Sequence, residues 1–229
     1  MVAVKEGTVS RAANGPRSRK GEQTRARLVT AAKEVFERDG FLNARISDIA
    51  EQAGLSHGSF YHYFDSKEEI FREVAEAVED KLSAPLGDVI LDRNSHAGPY
   101  ERILEAVYRH MTSYRDEARI MGVIEQVHRH DEQTRAARLE RHKRYNVQLV
   151  RAIKQLQRHG LADPQLDPEV AAAAIGSMTS RFPEMWFVEG RINPDFDKGV
   201  NQLVRVLVNA LGIKEASKGE VRSKAAAAQ

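Results

Sequence analysis

The stretch SDIAEQAGLSHGSFYHYF, Ser47 to Phe64, decides how this chain is read. It holds two short helical segments around Gly54-Leu55-Ser56. Turning Ile49, Ala50, Leu55, Phe60 and Phe64 inward leaves His57, Gly58, Ser59, Tyr61, His62 and Tyr63 on the outside. Ala53 and Gly54 are small, which lets the two segments approach closely at the turn. Two short helices joined by a tight glycine turn are a helix-turn-helix signal. A face of Gly, Ser, His and Tyr has no use in a core. It suits a helix whose first residues meet base edges and whose hydroxyls meet phosphates.

Working outward, the flanks are helical as well. Upstream, Leu28, Ala31, Ala32, Val35 and Phe36 recur at spacings of three and four, one stripe of a helix. Gly40 after Asp39 ends it. Ile46, Ile49, Ala50 and Ala53 mark a short second helix. Ser56 caps a third, predicted through Phe64. Ser66 and Glu69 form a capping box for a fourth, with Ile70, Phe71, Val74, Val78 and Leu82 on its apolar face. Residues 84–99 hold two prolines and two glycines and read as a connection. Helical spacing then predicts segments over 100–115, 118–129, 132–158, 170–187 with a kink near Pro183, and 196–211. No strand period and no internal repeat is present. The expected fold class is all-α, with about nine helices.

Composition excludes several classes. The 229 residues include no cysteine, which removes a disulfide framework, a thiolate metal site and a cysteine nucleophile. No apolar run approaches the ~18 residues of a membrane span, and the N-terminus lacks the apolar middle of a secretory signal. A soluble, cytoplasmic protein is expected, with no membrane partner. The net charge of +2 is unevenly spread. Residues 1–27 carry seven Lys and Arg against two Glu, a net +5. The tail 212–229 carries four basic residues against two acidic ones, so the body between is −5. A basic arm on an acidic body suggests an anionic polymer at one end, or a solubilising tail.

With ARLVTAAKEVFERDGF (26–41) and SDIAEQAGLSHGSFYHYFDSKEEIF (47–71) in view, residues 24–72 resemble the DNA-binding domain of the TetR family of bacterial transcriptional repressors. The remaining chain has the length and helical order of that family's effector and dimer domain. The resemblance implies a basic arm over 1–20, a DNA-binding domain over 21–67, a ligand-binding and dimerisation domain over 68–212, and a tail over 213–229. It implies that His57, Gly58 and Ser59 read bases. Tyr61 contacts a phosphate, and His62 and Tyr63 touch phosphates or bases. Lys67 reaches a phosphate from the start of the fourth helix. Ser56 caps the recognition helix and donates to a phosphate. The family commonly has a threonine where this chain has Arg45. Arginine does not cap as threonine does, but it reaches a phosphate. Arg17, Arg19, Lys20 and Arg25 are arm candidates for phosphates or the minor groove.

For the second domain the resemblance implies a cavity for a small, largely apolar effector. Its candidate walls are Tyr108, Met111, Tyr114, Ile120, Met121, Ile124, His128, Tyr145, Leu149, Met178, Phe182 and Trp186. A packed core is the competing reading of such a set. Ala174, Ile175, Met178, Leu203, Val204, Leu207, Val208 and Leu211 are the candidate interface of a homodimer, and a two-fold dimer expects a pseudo-palindromic double-stranded operator. An effector-free or protein-partner-controlled regulator, or an activator, is the alternative. Little supports catalysis. Glu125 and His128 have metal-pair spacing, but no second pair follows, and neither His130, Asp131 nor His142 completes a ligand set. No metal and no cofactor is expected.

Overall fold

A computed structural model describes residues 19–90 and 97–213. Among these, all regular structure is helical. The elements are α1 (Arg19–Asn43), α2 (Ile46–Gln52), α3 (His57–Phe60), α4 (Lys67–Ile90), α5 (Pro99–Asp116), α6 (Ala118–His128), α7 (Glu132–Arg158), α8 (Pro168–Pro183) and α9 (Phe196–Ala210). A single π-helical turn, Glu184–Val188, follows α8. The chain divides into two compact units, the boundary falling inside α4 after Val74. Most of the predicted arm, Arg17 included, and the tail beyond Ile213 lie outside the described residues. Arg19 and Lys20 belong to the first turn of α1, and Ile213 is buried.

The first unit is built on the stripe read from the sequence. Leu28, Ala31, Ala32, Val35 and Phe36 of α1 are all buried. Phe36, Phe41 and Phe71 meet edge to face or tilted, with centroids 4.8–5.8 Å apart. Phe60, Phe64, Ile70 and Val74 complete this core. Each such side chain contributes roughly 1.5–3 kcal/mol on burial. Gly40 takes φ +73°, so α1 kinks there and makes one more turn to Asn43.

Two boundaries differ from expectation. The third helix ends at Phe60, and hydrogen-bonded turns carry the chain to Phe64. The Phe64 N–H still bonds the Phe60 carbonyl at 3.1 Å, so both phenylalanines stay inward and the outer face is preserved. The fourth helix runs on through 84–90, the first half of the expected connection. Its apolar spacing explains this. Val74, Val78, Leu82, Leu86 and Ile90 continue at intervals of four past Pro85 and Gly87, and that period outweighs the local punctuation. At the helix start, Ser66 Oγ accepts from Glu69 N (3.1 Å), while Glu69 reaches back to the N–H of Asp65 (2.6 Å).

The second unit packs α5, α8 and α9 around Ile103, Val107, Ile175, Leu203, Val204 and Leu207, with Leu149 and Ile153 from α7. Aspartates start its helices: Asp131 caps α7, Asp167 caps α8 and Asp195 caps α9. The kink expected at Pro183 is a π-turn that begins directly after it. It carries Trp186, which stacks on Phe187 with centroids 4.6 Å apart and presses against Gly199 of α9.

The stripe expected at a dimer interface faces inward instead. Leu203, Val204, Leu207, Val208, Leu211 and Ile175 are buried in this chain's own core, and Met178 packs half-buried against it. Of the eight residues only Ala174 is exposed. The physical reason is that α9's most apolar face is the one α5 needs for burial. Val170 on α8 and Val206 on α9 are the apolar side chains left outside.

Candidate DNA interface and ligand cavity

The turn between α2 and α3 is held by two devices. Gly54 sits at φ +66°, a conformation L side chains rarely adopt. Arg27 of α1 reaches across and donates from Nη2 to the Ala53 carbonyl. Ser56 then caps α3, accepting from Ser59 N at 3.2 Å, and its hydroxyl lies 2.8 Å from that of Ser59. His57, Gly58, Tyr61 and His62 are exposed, and Ser59 and Tyr63 are half-buried. A Cβ built on Gly58 meets nothing within 4 Å. The space outside Gly58 is open, so its backbone is free to approach a ligand surface. His57 and Tyr61 stand edge to face, centroids 5.4 Å apart, on the same outer side.

Three cations expected at this surface have different situations. Arg45 is exposed, precedes α2 without a side-chain cap, and is available. Lys67 is committed inside the unit. Its ammonium donates to the carbonyls of Phe41 (2.7 Å), Leu42 (3.3 Å) and Ala44 (3.0 Å), and it lies over the Phe41 ring. Three acceptors take all three of its protons. Arg25 is likewise a clamp. It pairs with both carboxylate oxygens of Glu73, donates to the Tyr63 carbonyl (2.6 Å) and lies over Phe64. The resemblance implies a phosphate for Lys67, and the arm reading a phosphate or the minor groove for Arg25; the partners both have here are backbone oxygens or lie far in sequence. Leu42, 87% exposed and three residues before Arg45, was not anticipated.

The second unit holds a half-open pocket of about 260 Å³ between α4, α5, α6, α7 and α8, with His142, Ala173 and Ser177 on its exposed rim. Tyr114, Met121 and Tyr145 are on its wall. The other anticipated residues are elsewhere. Met111, Ile120 and Ile124 are fully buried core. Leu149 lines a smaller gap of about 40 Å³ with Ile103 and Val107. Phe182 and Trp186 meet edge to face in the aromatic group that also holds Phe187 and Phe196. Met178 packs against the core. Tyr108 is on the surface, donating to Asp197 Oδ1 at 3.2 Å. His128 is buried but turned toward Arg138.

The wall is more polar than the sequence suggested. Leu82, Ala173 and Gly176 supply apolar surface, while Glu79, His110, Arg138, Arg141 and His142 add ionisable groups. Arg138, Arg141 and Tyr145 follow at three- and four-residue spacing, one face of α7. That spacing was a legible signal hidden in a helix read as merely charged. Arg141 pairs with Glu79 through Nη2. Arg138 pairs with Glu125 at 2.6 Å and lies 3.8 Å from Glu79. Its Nη1 also donates to His128 Nδ1 at 2.7 Å. Glu125 and His128, the pair with metal spacing, thus both serve Arg138. Among the described residues no group of three metal ligands occurs.

Burial dominates the electrostatics. It raises Glu79 above the ordinary carboxylate range, although Arg141 and Arg138 pull the other way. It lowers His128 to about 4, with Arg138 adding to the effect. His110 and His142 are lowered, and Tyr114 and Tyr145 raised, with burial again the leading cause. His110 places Nδ1 at 2.9 Å from the Leu82 carbonyl and Nε2 at 3.0 Å from that of Thr179. A neutral ring donates to one of them only.

An all-α chain with a helix-turn-helix unit followed by a helical unit that holds a pocket defines a class, one-component helix-turn-helix regulators. The comparisons are more specific. The model of bacterial regulatory proteins of the tetR family matches residues 28–74, and that of the tetracyclin repressor-like C-terminal domain matches 96–196. The chain is 30% identical over 182 residues to the HTH-type transcriptional repressor KstR2 of Mycobacterium tuberculosis, covering 75% of this chain and 82% of that one. It is 26% identical over 179 residues to the uncharacterized HTH-type regulator YdgC of Bacillus subtilis, covering 76% and 87%. Its fold resembles a putative transcriptional regulator of Pseudomonas aeruginosa PAO1 (TM-score 0.69, 22% identity, 85% and 92% covered). It also resembles FadR of Bacillus subtilis in complex with stearoyl-CoA (TM-score 0.66, 21% identity, 81% and 98% covered). The chain belongs to the TetR family of bacterial transcriptional regulators. No helix among the described residues is long and apolar enough to cross a membrane.

Proposed function

We propose that this regulator is a cytoplasmic homodimeric repressor that leaves a pseudo-palindromic operator when a small, largely apolar molecule fills the cavity of its second unit. The exposed first turn of α3, with His57, Gly58 and Ser59, reads bases. Tyr61, His62 and Tyr63 contact the backbone or neighbouring bases, Ser56 and Arg45 the phosphates. Arg25 and Lys67 hold the shape of this surface. A second copy meets the outer faces of α8 and α9, which carry Ala174, Val170 and Val206. A two-fold pair would present its α3 helices about 34–36 Å apart, or more with a spacer.

The cavity is the observation that carries the ligand reading over an effector-free one, which calls for a filled core. Its volume of about 260 Å³ lies near the lower end of small-molecule sites, roughly 300–1,000 Å³. One helix, α4, runs from the first unit to the cavity wall at Glu79, Leu82 and Ser83. A ligand that favours one position of α4 shifts operator affinity by its preference for that position. The test is a screen of small molecules for release of a labelled operator duplex selected from random DNA. Gly176→Met projects a side chain into the cavity, since a Cβ there meets only Leu149 and Tyr145 near 4 Å. Compounds that release the unmodified protein should fail on Gly176→Met. Release of both alike rejects the cavity as the ligand site.

A further inference from the structure

Building on the pocket as the ligand site, we infer that its ligand is a compact apolar molecule bearing one uncharged oxygen function, a ketone or a hydroxyl, which the Tyr114 hydroxyl binds inside the pocket. Tyr114 lies on the pocket wall and is only 3% exposed. Its hydroxyl makes no hydrogen bond among the described residues. Nor is it one of the unpartnered polar atoms that are shut off from open space. The ring is held in place by neighbours on α5 and the π-turn, with centroids 6.2 Å from His110 and 6.3 Å from Phe187. A fixed ring with a free phenol at its tip presents one donor and one acceptor at a set place. A buried hydroxyl without a partner is costly, and a ligand oxygen that bonds it removes that cost.

The other polar groups of the inner wall are already used. The Tyr145 hydroxyl is hydrogen-bonded to Thr179. His110 faces the Leu82 and Thr179 carbonyls with its two ring nitrogens. Glu79 pairs with Arg141, and Glu125 with Arg138. At the mouth, His142 and Ser177 are exposed and meet water without a ligand. The charge of the ligand follows from the same surroundings. Two carboxylates and two guanidiniums cancel, so a buried carboxylate or ammonium would break a pair or lack a counter-ion, and either is costly. At Tyr114, Glu125 and Glu184 oppose a negative charge more strongly than Arg138 and Arg181 favour one. Leu82, Met121 and Gly176 bound the rest of the space and suit a hydrocarbon body.

The experiment uses the full-length protein and two matched probe series, one on adamantane and one on decalin. Each series contains the hydrocarbon, the ketone, the alcohol, the carboxylate and the amine. Calorimetric titration and melting shifts are measured for every member. The ketone or the alcohol of at least one series should bind about tenfold more tightly than its own hydrocarbon, carboxylate and amine, the difference expected for satisfying one buried hydroxyl. Tyr114→Phe should remove about tenfold of that affinity and leave the hydrocarbon's unchanged. Without ligand, Tyr114→Phe should melt no lower than the unmodified protein, because the hydroxyl has no partner to lose. Hydrocarbon, carboxylate or amine binding as tight as the ketone and alcohol, an oxygen preference that survives Tyr114→Phe, or a lower melting temperature of the free variant overturns the inference while the pocket stands. If no probe binds, or Gly176→Met binds them as the unmodified protein does, the pocket reading itself fails.

Discussion

Lys67 and Arg25 stand beside the recognition segment, yet their charges are used within the unit. Lys67 bonds three carbonyls of the last turn of α1 and the residue just after it, and Arg25 bonds Glu73 and the Tyr63 carbonyl. Lys67→Met should therefore cost about 1–3 kcal/mol in urea denaturation by stranding these acceptors. It should leave the slope of log affinity against log salt unchanged, because no phosphate contact is lost. Arg45→Ala should do the reverse, with stability nearly constant and the salt slope falling by about one. A slope change with Lys67→Met would return it to the phosphates. The residue types near the DNA surface were legible in sequence. Their partners were not, because backbone oxygens more than twenty residues away carry no sequence pattern.

His128 gives a second residue-scale prediction. Its ordinary value is 6.5 and burial lowers it to about 4. Below pH 6.5 the unfolded chain takes up a proton that the folded chain refuses. Stability is thus fully present above pH 6.5 and falls as pH drops toward 4, by roughly 3 kcal/mol at the end of that window. His110 and His142, also lowered, act in the same direction. Urea midpoints measured across this range should decline. The decline should be shallower in His128→Gln, and an equal decline in that variant would remove His128 as its source.

Among the elements, α3 keeps Phe60 and Phe64 inward and His57, Gly58, Tyr61 and His62 outward, with Ser59 and Tyr63 half-buried, and is shorter than its spacing predicts. The inward set rests on the spacing of Phe60 and Phe64, which a turn preserves as well as a helix does. At α4 the reverse holds: a four-residue apolar period continues through Pro85 and Gly87, and the helix runs on with it. α9 showed the limit of a stripe. Leu203, Val204 and Leu207 announce a buried face, but sequence does not say whether the covering surface is the same chain or a second copy. The close approach of α9 to the π-turn was not legible either. A Cβ on Gly199 would lie 2.3 Å from the Trp186 ring and 3.0 Å from Pro194. Gly199→Ala should lower stability by about 1–3 kcal/mol, visible as a lower melting temperature, while Gly190→Ala, with no atom near its Cβ, tests the separate cost of positive φ.

At the scale of the molecule, the near-neutral total resolves into a basic N-terminal segment and an acidic body. The ionic cluster at the cavity is part of that body, and it is closed on itself by two guanidiniums and two carboxylates. Met and aromatic residues suggested a greasy pocket from sequence alone. The structure sends most of them to the core, and α7 brings Arg138, Arg141 and Tyr145 to a wall whose surface stays mostly apolar. Residue type sets what is buried, whereas the rotation of a charged helix about its axis decides which charges enter a cavity. That rotation depends on packing against α8, which single-sequence periodicity in α7 does not reveal.

If the outer face of α3 reads DNA, Gly58 is the residue where a substitution exposes it most plainly. Its Cβ position is open, so Gly58→Val leaves the unit's packing intact while placing a branched side chain where a base edge would be. The measurement is fluorescence anisotropy of a labelled duplex, selected from random DNA by the unmodified protein, titrated with both proteins at fixed salt, beside their melting curves. A melting temperature nearly unchanged, with specific affinity reduced about a hundredfold, is the expected result. Equal affinity for the selected duplex would contradict the assignment of α3 as the recognition helix.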